Sequence, residues 1–405
     1  NWYIATPLGI FGTSASGRTA ALRQLASSAA QAGLVTHVIG ADLNQLALPN
    51  AALAGSQLDT FHPCEVLRLT QLALEGKLRG QLLLIDDLDC VGEAIDTVLG
   101  LGEGRDVLEK LVNASRRGLF ALALAGDLAN APMRWCANIS QRLYLGVCSD
   151  TLADQAGLKR CQQAPNQVGA GVLTLASHWC AAQILLAPVL PTSAANLPAS
   201  VVDSPASASD LPVNPSDTTT ALAAAPVVAL PEIVPTCPPW ALGLGGDQAQ
   251  PWCPQLSQGL AIIGPAGSGR STALARVYDI LQATDPALAQ RAIFIDNLDQ
   301  AYPSAINTVE TALDAGTPVF ATALTSRAAN TYSGPLAQLR SLSPLLLLAP
   351  GLGEGTQLAN VRLTRWLDPH RQHLPGRGLV IASSQITPVQ ICQNASSIFA
   401  DNPQV

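Results

Sequence analysis

Short apolar runs alternate with longer stretches of helical periodicity along this chain, and the alternation occurs twice. In the first half, Leu8 to Phe11 reads as a strand that enters a glycine-rich turn and then a helical pattern. Further strands are expected at Leu34 to Gly40, in LLLIDDLD (Leu82 to Asp89), and at Leu119 to Ala125 after a helix over Asp106 to Arg117. The second half repeats the order with Leu260 to Ile263, IFIDNLD (Ile293 to Asp299), Pro318 to Ala323 and Pro344 to Ala349. Strand, glycine turn, helix, then a strand ending in Asp implies a parallel sheet with helices on both faces. Each half is expected to close with a short strand pair. There GVLTLASHWCAAQIL from Gly171 parallels GLVIASSQITPVQIC from Gly378 at an offset of 207 residues. Three ordered matches indicate a duplication.

The text between the halves differs. Residues 188–239 hold eleven prolines among Ala, Ser, Thr and Val, which removes amide donors and leaves little large side-chain area to bury. The expected organisation is therefore a first domain over 1–187, a flexible linker over 188–239 and a second domain over 240–405. The 405 residues carry 22 basic and 29 acidic side chains, a formal net charge of -7, and no Lys or Arg lies between Arg160 and Arg270. That balance gives no general attraction for nucleic acid or anionic lipid. Nine cysteines show no CxxC spacing and no alternation with histidine, so neither a zinc ribbon nor a redox dithiol is expected. The most membrane-like stretch, Val172 to Leu190, is interrupted by Thr174, Ser177, His178 and Gln183, which disfavours a span.

The chemistry concentrates in two glycine-rich turns. Gly12-Thr13-Ser14-Ala15-Ser16-Gly17-Arg18-Thr19 is echoed by Gly264-Pro265-Ala266-Gly267-Ser268-Gly269-Arg270-Ser271. Such a turn, followed by a cation, a hydroxyl and a helix, suits an anion cradle: successive amides point at phosphate and the helix dipole adds to them. Gly12, Ser14, Ser16, Gly17, Arg18 and Thr19 would form the first nucleotide site. Gly264, Gly267, Gly269, Arg270, Ser271, Thr272 and Asp296 would form the second. ATP and Mg2+ are the expected cofactors, with the metal held by Thr19 and Asp86 in one half and by Ser271 and Asp296 in the other. Because strand, turn, helix and distal Asp occur together twice, two tandem P-loop NTPase domains of the α/β class are expected.

Three features separate the halves from an ordinary hydrolase and from each other. Arg18 and Arg270 stand where lysine is usual, and a planar guanidinium cannot reach between phosphates as a compact ammonium does. Asp87 follows Asp86, whereas Asn297 follows Asp296, and an amide cannot accept a proton from water. The loop-to-Asp distance is 74 residues in the first half (12 to 86) and 32 in the second (264 to 296), which leaves no room for the same intervening strand and helix. Asp87, Asp86 and Arg18 are thus the catalytic candidates, and the second, shortened domain reads as inactive. Weaker candidates are Arg116, Arg117, Arg142 and Arg327 as arginines reaching a nucleotide, and His62, His370 and His373 as polar clusters. Asp299 is expected to point away from the second site.

Beyond the loops, PPWALGLGGDQAQPWCPQLSQGLAIIGPAGSGRSTAL (Pro238 to Leu274) and the Leu374 to Gly378 segment LPGRG before the terminal strands resemble the FtsK/SpoIIIE branch of P-loop ATPases. The run RLYLGVCSDTLADQAGLKR, followed by GAGVL, has the same layout in the first half. The arrangement is most similar to the last two ATPase domains of the EccC-type motor of type VII secretion, in degenerate form. The resemblance covers nearly all of both halves and omits the linker. It implies RecA-like, FtsK/HerA-type domains that bind nucleotide and hydrolyse it weakly or in a regulatory way. It implies as partners other subunits of a secretion machine or secreted protein substrates, with a homo-oligomer as an open alternative. It also implies a cytoplasmic place at the inner face of the cell membrane, through upstream segments or partners. An FtsK-like DNA translocase, disfavoured by the acidic charge, and a nucleotide-free scaffold are the other readings.

Overall fold

A computed structural model describes residues 6–46, 48, 53–175, 178–184, 227–382 and 385–395. In the first module, β1 (Leu8–Gly12) leads through the glycine turn into α1 (Arg18–Gln31), followed by β2 (Thr36–Gly40), β3 (Ala54–Asp59), α2 (Pro63–Leu74) and β4 (Leu82–Ile85). Then come α3 (Leu88–Leu99), α4 (Glu103–Arg116), β5 (Ala121–Asp127), β6 (Gln141–Leu145), α5 (Asp150–Gln155), β7 (Ala170–Leu175) and β8 (His178–Gln183). The sheet order is β3-β2-β4-β5-β1-β6-β7-β8, parallel from β3 to β6 and antiparallel through β7 and β8. Every residue of β1, β2 and β4 is buried, as the unbroken apolar runs require of strands covered on both faces.

The second module opens with a hairpin, β9 (Gly243–Gly245) and β10 (Gln250–Trp252). It continues with β11 (Leu260–Gly264), α6 (Arg270–Thr284), α7 (Pro286–Arg291), β12 (Ile293–Ile295), α8 (Pro303–Asp314) and β13 (Val319–Leu324). It ends with α9 (Thr325–Ala329), α10 (Pro335–Leu342), β14 (Leu345–Leu348), α11 (Leu352–Ala359), β15 (Arg377–Ala382) and β16 (Gln385–Ile391). Its order is β10-β9-β16-β15-β14-β11-β13-β12, with the four strands β12, β13, β11 and β14 parallel. Aligned on the loop strands, the two sheets share six positions, β4-β5-β1-β6-β7-β8 against β12-β13-β11-β14-β15-β16. The first module adds β2 and β3 beyond its Asp strand. The second lacks them there but gains β9 and β10 at the opposite edge, so it is shortened on one side only, and both sheets hold eight strands among the described residues.

Of the apolar stretch from Val172, residues 172–175 and 178–183 lie in the antiparallel pair β7 and β8, residues 176, 177 and 185–190 lie outside the described residues, and among the described residues no helix is long and apolar enough to cross a membrane. Of the proline-rich segment, residues 188–226 lie outside the described residues. Residues 227–239 form a strap against both modules. The Val227 amide donates to Ser56 Oγ at 2.7 Å in the first, and Arg377 Nη2 donates to the carbonyls of Leu230 and Pro231 in the second. A single bridge pairs Val234 with Cys392. The modules also meet directly: Arg68 of α2 forks onto the Asp247 carboxylate at 2.9 to 3.1 Å, and the turn Thr364–Trp366 packs on α2 and α3.

Candidate functional site

Both glycine turns sit where a central strand of the sheet hands the chain to a long helix. Gly17 (φ 101°) and Gly269 (φ 93°) are left-handed at the N-caps of α1 and α6, a conformation that side chains rarely adopt. A Cβ at Gly12 or Gly264 would lie 2.4 Å from Ser16 Oγ or Ser268 Oγ, so glycine there lets the turn close on its own serine. The Ser16 amide donates back to the Thr13 carbonyl at 3.2 Å, and the Ser268 amide to the Pro265 carbonyl at 3.3 Å. Each turn rests against the closing hairpin: Gly169 faces Gly17, Gly376 faces Gly269, and the Gly376 amide donates to the Ser268 carbonyl at 2.9 Å.

The structure brings each helix hydroxyl to its distal carboxylate. Thr19 Oγ1 donates to Asp86 Oδ2 at 2.8 Å, and Ser271 Oγ donates to Asp296 Oδ2 at 2.8 Å. These pairs span 67 and 25 positions of sequence, yet have the same geometry. Burial pushes the Asp86 carboxyl above the usual range, while the Thr19 hydroxyl, the Asp87 amide and the Arg18 charge pull it back. Asp87 and Asn297 have the same left-handed backbone, φ 57° each, at the start of α3 and of the turn Leu298–Gln300. Ser14 lies exposed at the tip of the first turn, and Ser271 and Thr272 open α6.

The residues present suit a phosphate and its metal. Ser16 Oγ and Ser268 Oγ are buried without a hydrogen-bond partner, and so is Arg270 Nη1. Neither Arg18 nor Arg270 forms an ion pair among the described residues. The first amides of α1 and α6, 14 and 15 residues long, open onto the turns.

The weaker candidates fall elsewhere. Arg142 is structural: it donates to the carbonyls of Ile139, Ala131 and Cys136. Arg116 and Arg117 are exposed at the end of α4, and His370 and His373 are exposed, with no metal-binding cluster among the described residues. His62 faces Asp59 at 2.5 Å. Asp299 has a side chain only 2% exposed, an Oδ1 that accepts from the amide of Leu324, the residue paired with Gly264, and Arg327 Nε 3.6 Å from Oδ2. These two residues line a cavity of about 460 Å³ beside α10, and the corresponding Asp89 lines one of about 370 Å³ with Arg105 and Trp135. Sequence reasoning missed Thr322, the polar residue within the apolar strand β13, whose hydroxyl donates to Asp296 Oδ1.

With this geometry in place, comparison with solved structures is decisive for the fold. Geobacillus thermodenitrificans EssC, ATPases 2 and 3, superposes over 96% of this chain and 92% of its own with a TM-score of 0.58 at 10% identity. The fold is that of these tandem ATPase domains. Thermomonospora curvata EccC, ATPases 2 and 3 in complex with a signal sequence peptide, matches over 97% of this chain and 89% of its own, with a TM-score of 0.54 at 13% identity. The cytoplasmic domain of the Thermomonospora curvata type VII secretion ATPase EccC matches at a TM-score of 0.51 and 15% identity, over 97% of this chain and 57% of its own. No family model and no curated protein matches the sequence. The likeness to the tandem EssC/EccC domains thus rests on architecture, at 10 to 15% sequence identity.

Proposed function

We propose that the chain is the ATPase-like module of a protein-secretion motor of the type VII class, binding ATP with magnesium at both phosphate turns and hydrolysing it slowly in the first. The observation that carries this reading is the twofold pairing of a turn hydroxyl with a distal carboxylate, Thr19 with Asp86 and Ser271 with Asp296. It stands within a whole-chain likeness to EssC and EccC ATPases 2 and 3. In each site the turn amides, the guanidinium and the helix N-terminus would hold the phosphates, and the hydroxyl with the carboxylate would hold the metal. When bound, magnesium supplies charge neutralisation on the phosphate oxygens. Asp87, the residue after the metal carboxylate of the first site, would orient water and take its proton. Asn297 lacks that capacity, so the second module binds and regulates. The EccC structure holding a signal sequence peptide supports a secreted-protein segment as the partner class. A cytoplasmic place beside the membrane follows from the same reading.

The test is ATP hydrolysis by the assembled protein at saturating magnesium. Asp87→Ala is expected to abolish turnover, and Asp296→Ala to leave it within about twofold. Loss of turnover in Asp296→Ala alone, with assembly intact, would reverse the two roles. Calorimetry showing no affinity for ATP or ADP at millimolar concentration would favour the nucleotide-free scaffold.

A further inference from the structure

The two metal carboxylates are matched on one oxygen and differ on the other. In the first module Asp86 Oδ1 accepts from the adjacent Asp87 amide at 3.1 Å. In the second, Asp296 Oδ1 accepts from the Thr322 hydroxyl, and the Thr322 oxygen accepts the Asn297 amide at 2.8 Å. The hydroxyl is therefore inserted between the carboxylate and the next amide, and uses its donor and one lone pair in doing so. Thr322 is fully buried, so water does not compete for either bond.

The strand register shows that this is a difference between the modules and not between two unrelated places. Thr322 lies opposite Ile262 on the loop strand β11, and Ala125 lies opposite Ile10 on β1. The neighbouring positions agree: Ile295 pairs with Ala321, and Ile85 with Leu124. Ala125 is fully buried too, so the first module has a methyl group where the second has a hydroxyl.

We infer that Thr322 is a positioning residue that presets Asp296 for a metal–nucleotide complex and makes the second module the tighter, magnesium-dependent holder of the pair. This inference rests on the reading of both turns as nucleotide sites. Asp86 Oδ1 is held only by the next amide of its own chain, whereas Asp296 Oδ1 is anchored to a neighbouring strand by a buried hydroxyl and so loses less freedom on binding; outer hydrogen bonds to metal-holding carboxylates are commonly worth about ten- to a hundredfold in metal affinity. The module without a proton acceptor at Asn297 is thus also the one with the better-fixed carboxylate, a combination suited to retention and not to turnover.

The experiment uses the full chain with Asp86→Asn, so that magnesium-dependent affinity reports the second module. ADP binding is measured by calorimetry with magnesium and with EDTA for Thr322, Thr322→Val and Thr322→Ser. Thr322→Val is expected to lower affinity at least fivefold in magnesium and to leave it within twofold in EDTA, while Thr322→Ser stays within twofold in both. A Thr322→Val protein that binds normally in magnesium, or that loses affinity equally in EDTA, overturns the inference. If the Asp86→Asn parent itself shows no magnesium-dependent binding, both this inference and the nucleotide reading of the second module fall. Should Thr322→Val not fold, Ala125→Ser in an Asp296→Asn background serves instead. It is expected to raise the magnesium-to-EDTA affinity ratio of the first module at least threefold, and no rise overturns the inference.

Discussion

Arginine at the position after the last loop glycine changes reach more than charge. A guanidinium is broad and planar, and its donors are fixed in a fork, whereas an ammonium is a compact point charge on a flexible stem. Arg270 already has Nη1 buried without a partner, which is the state expected of a donor that waits for an anion. Arg18 lies close enough to lower the pKa of the Asp86 carboxyl. Arg18→Lys is therefore expected to raise turnover severalfold with little change in affinity, and Arg18→Ala to weaken ATP binding about tenfold or more. Steady-state kinetics combined with equilibrium binding separates the two effects. A lysine that leaves turnover unchanged would refute the geometric account of the slow hydrolysis proposed for the first module.

Among elements, the contact between α3 and α4 depends on a missing side chain. A Cβ at Gly104 would lie 2.1 Å from the Gly92 carbonyl oxygen, so the two helices approach to backbone contact. The Gly104 amide also donates to Asp96 Oδ1 at 2.6 Å, which ties the start of α4 to α3. Gly104→Ala must push the helices apart, and it is expected to destabilise the protein by about 1 to 3 kcal/mol. Urea denaturation followed by circular dichroism would measure it. Because α3 begins directly after Asp87, this variant is also expected to lower turnover beyond its effect on the folded fraction.

For the whole molecule, the seam between modules carries an acid with one oxygen buried. Glu65 of α2 lines a cavity of about 70 Å³ with Arg68, Asp247, Trp366, Asp368 and Arg377, none of them in a phosphate turn. Its Oε2 has no hydrogen-bond partner, and neither has Arg377 Nε. Burial raises the Glu65 pKa, its own amide and His62 pull it down, Asp368 pushes it up, and Arg377 pulls it down. A carboxyl raised in the folded state takes up its proton at higher pH than in the unfolded chain. It therefore costs stability above its folded pKa, and that cost disappears as pH falls to the ordinary carboxylate range. Glu65→Gln is accordingly expected to raise Tm at pH 7 to 8 by a few degrees, with the gain vanishing near pH 4. Thermal unfolding across that range tests it, and a gain independent of pH would contradict it.

Much of this protein was legible in the linear text because its signals are local. Apolar runs bounded by polar residues marked the strands, and Leu8–Gly12, Val319–Leu324 and Leu345–Leu348 begin and end within a residue or two of the expected positions. Glycines needing positive φ marked the turns, and the offset of 207 residues carried over to β7 and β15, which start at residues 170 and 377. Other features arise only when residues far apart in sequence meet. The hydroxyl of Thr322 acts on Asp296 across the pairing of β13 with β12, and nothing around it in the chain distinguishes it from any threonine in a strand. The second sheet recovers eight strands because β9 returns from the start of its module to pair with β16, a choice of edge that periodicity cannot express. The docking of residues 227–239 likewise depends on groups from both modules, the Ser56 hydroxyl as acceptor and Arg377 as donor. Hydrophobic period and backbone preference act over a few residues and so determine elements and turns. Which elements become neighbours, and which side chains then meet, is decided by the packing of the whole chain.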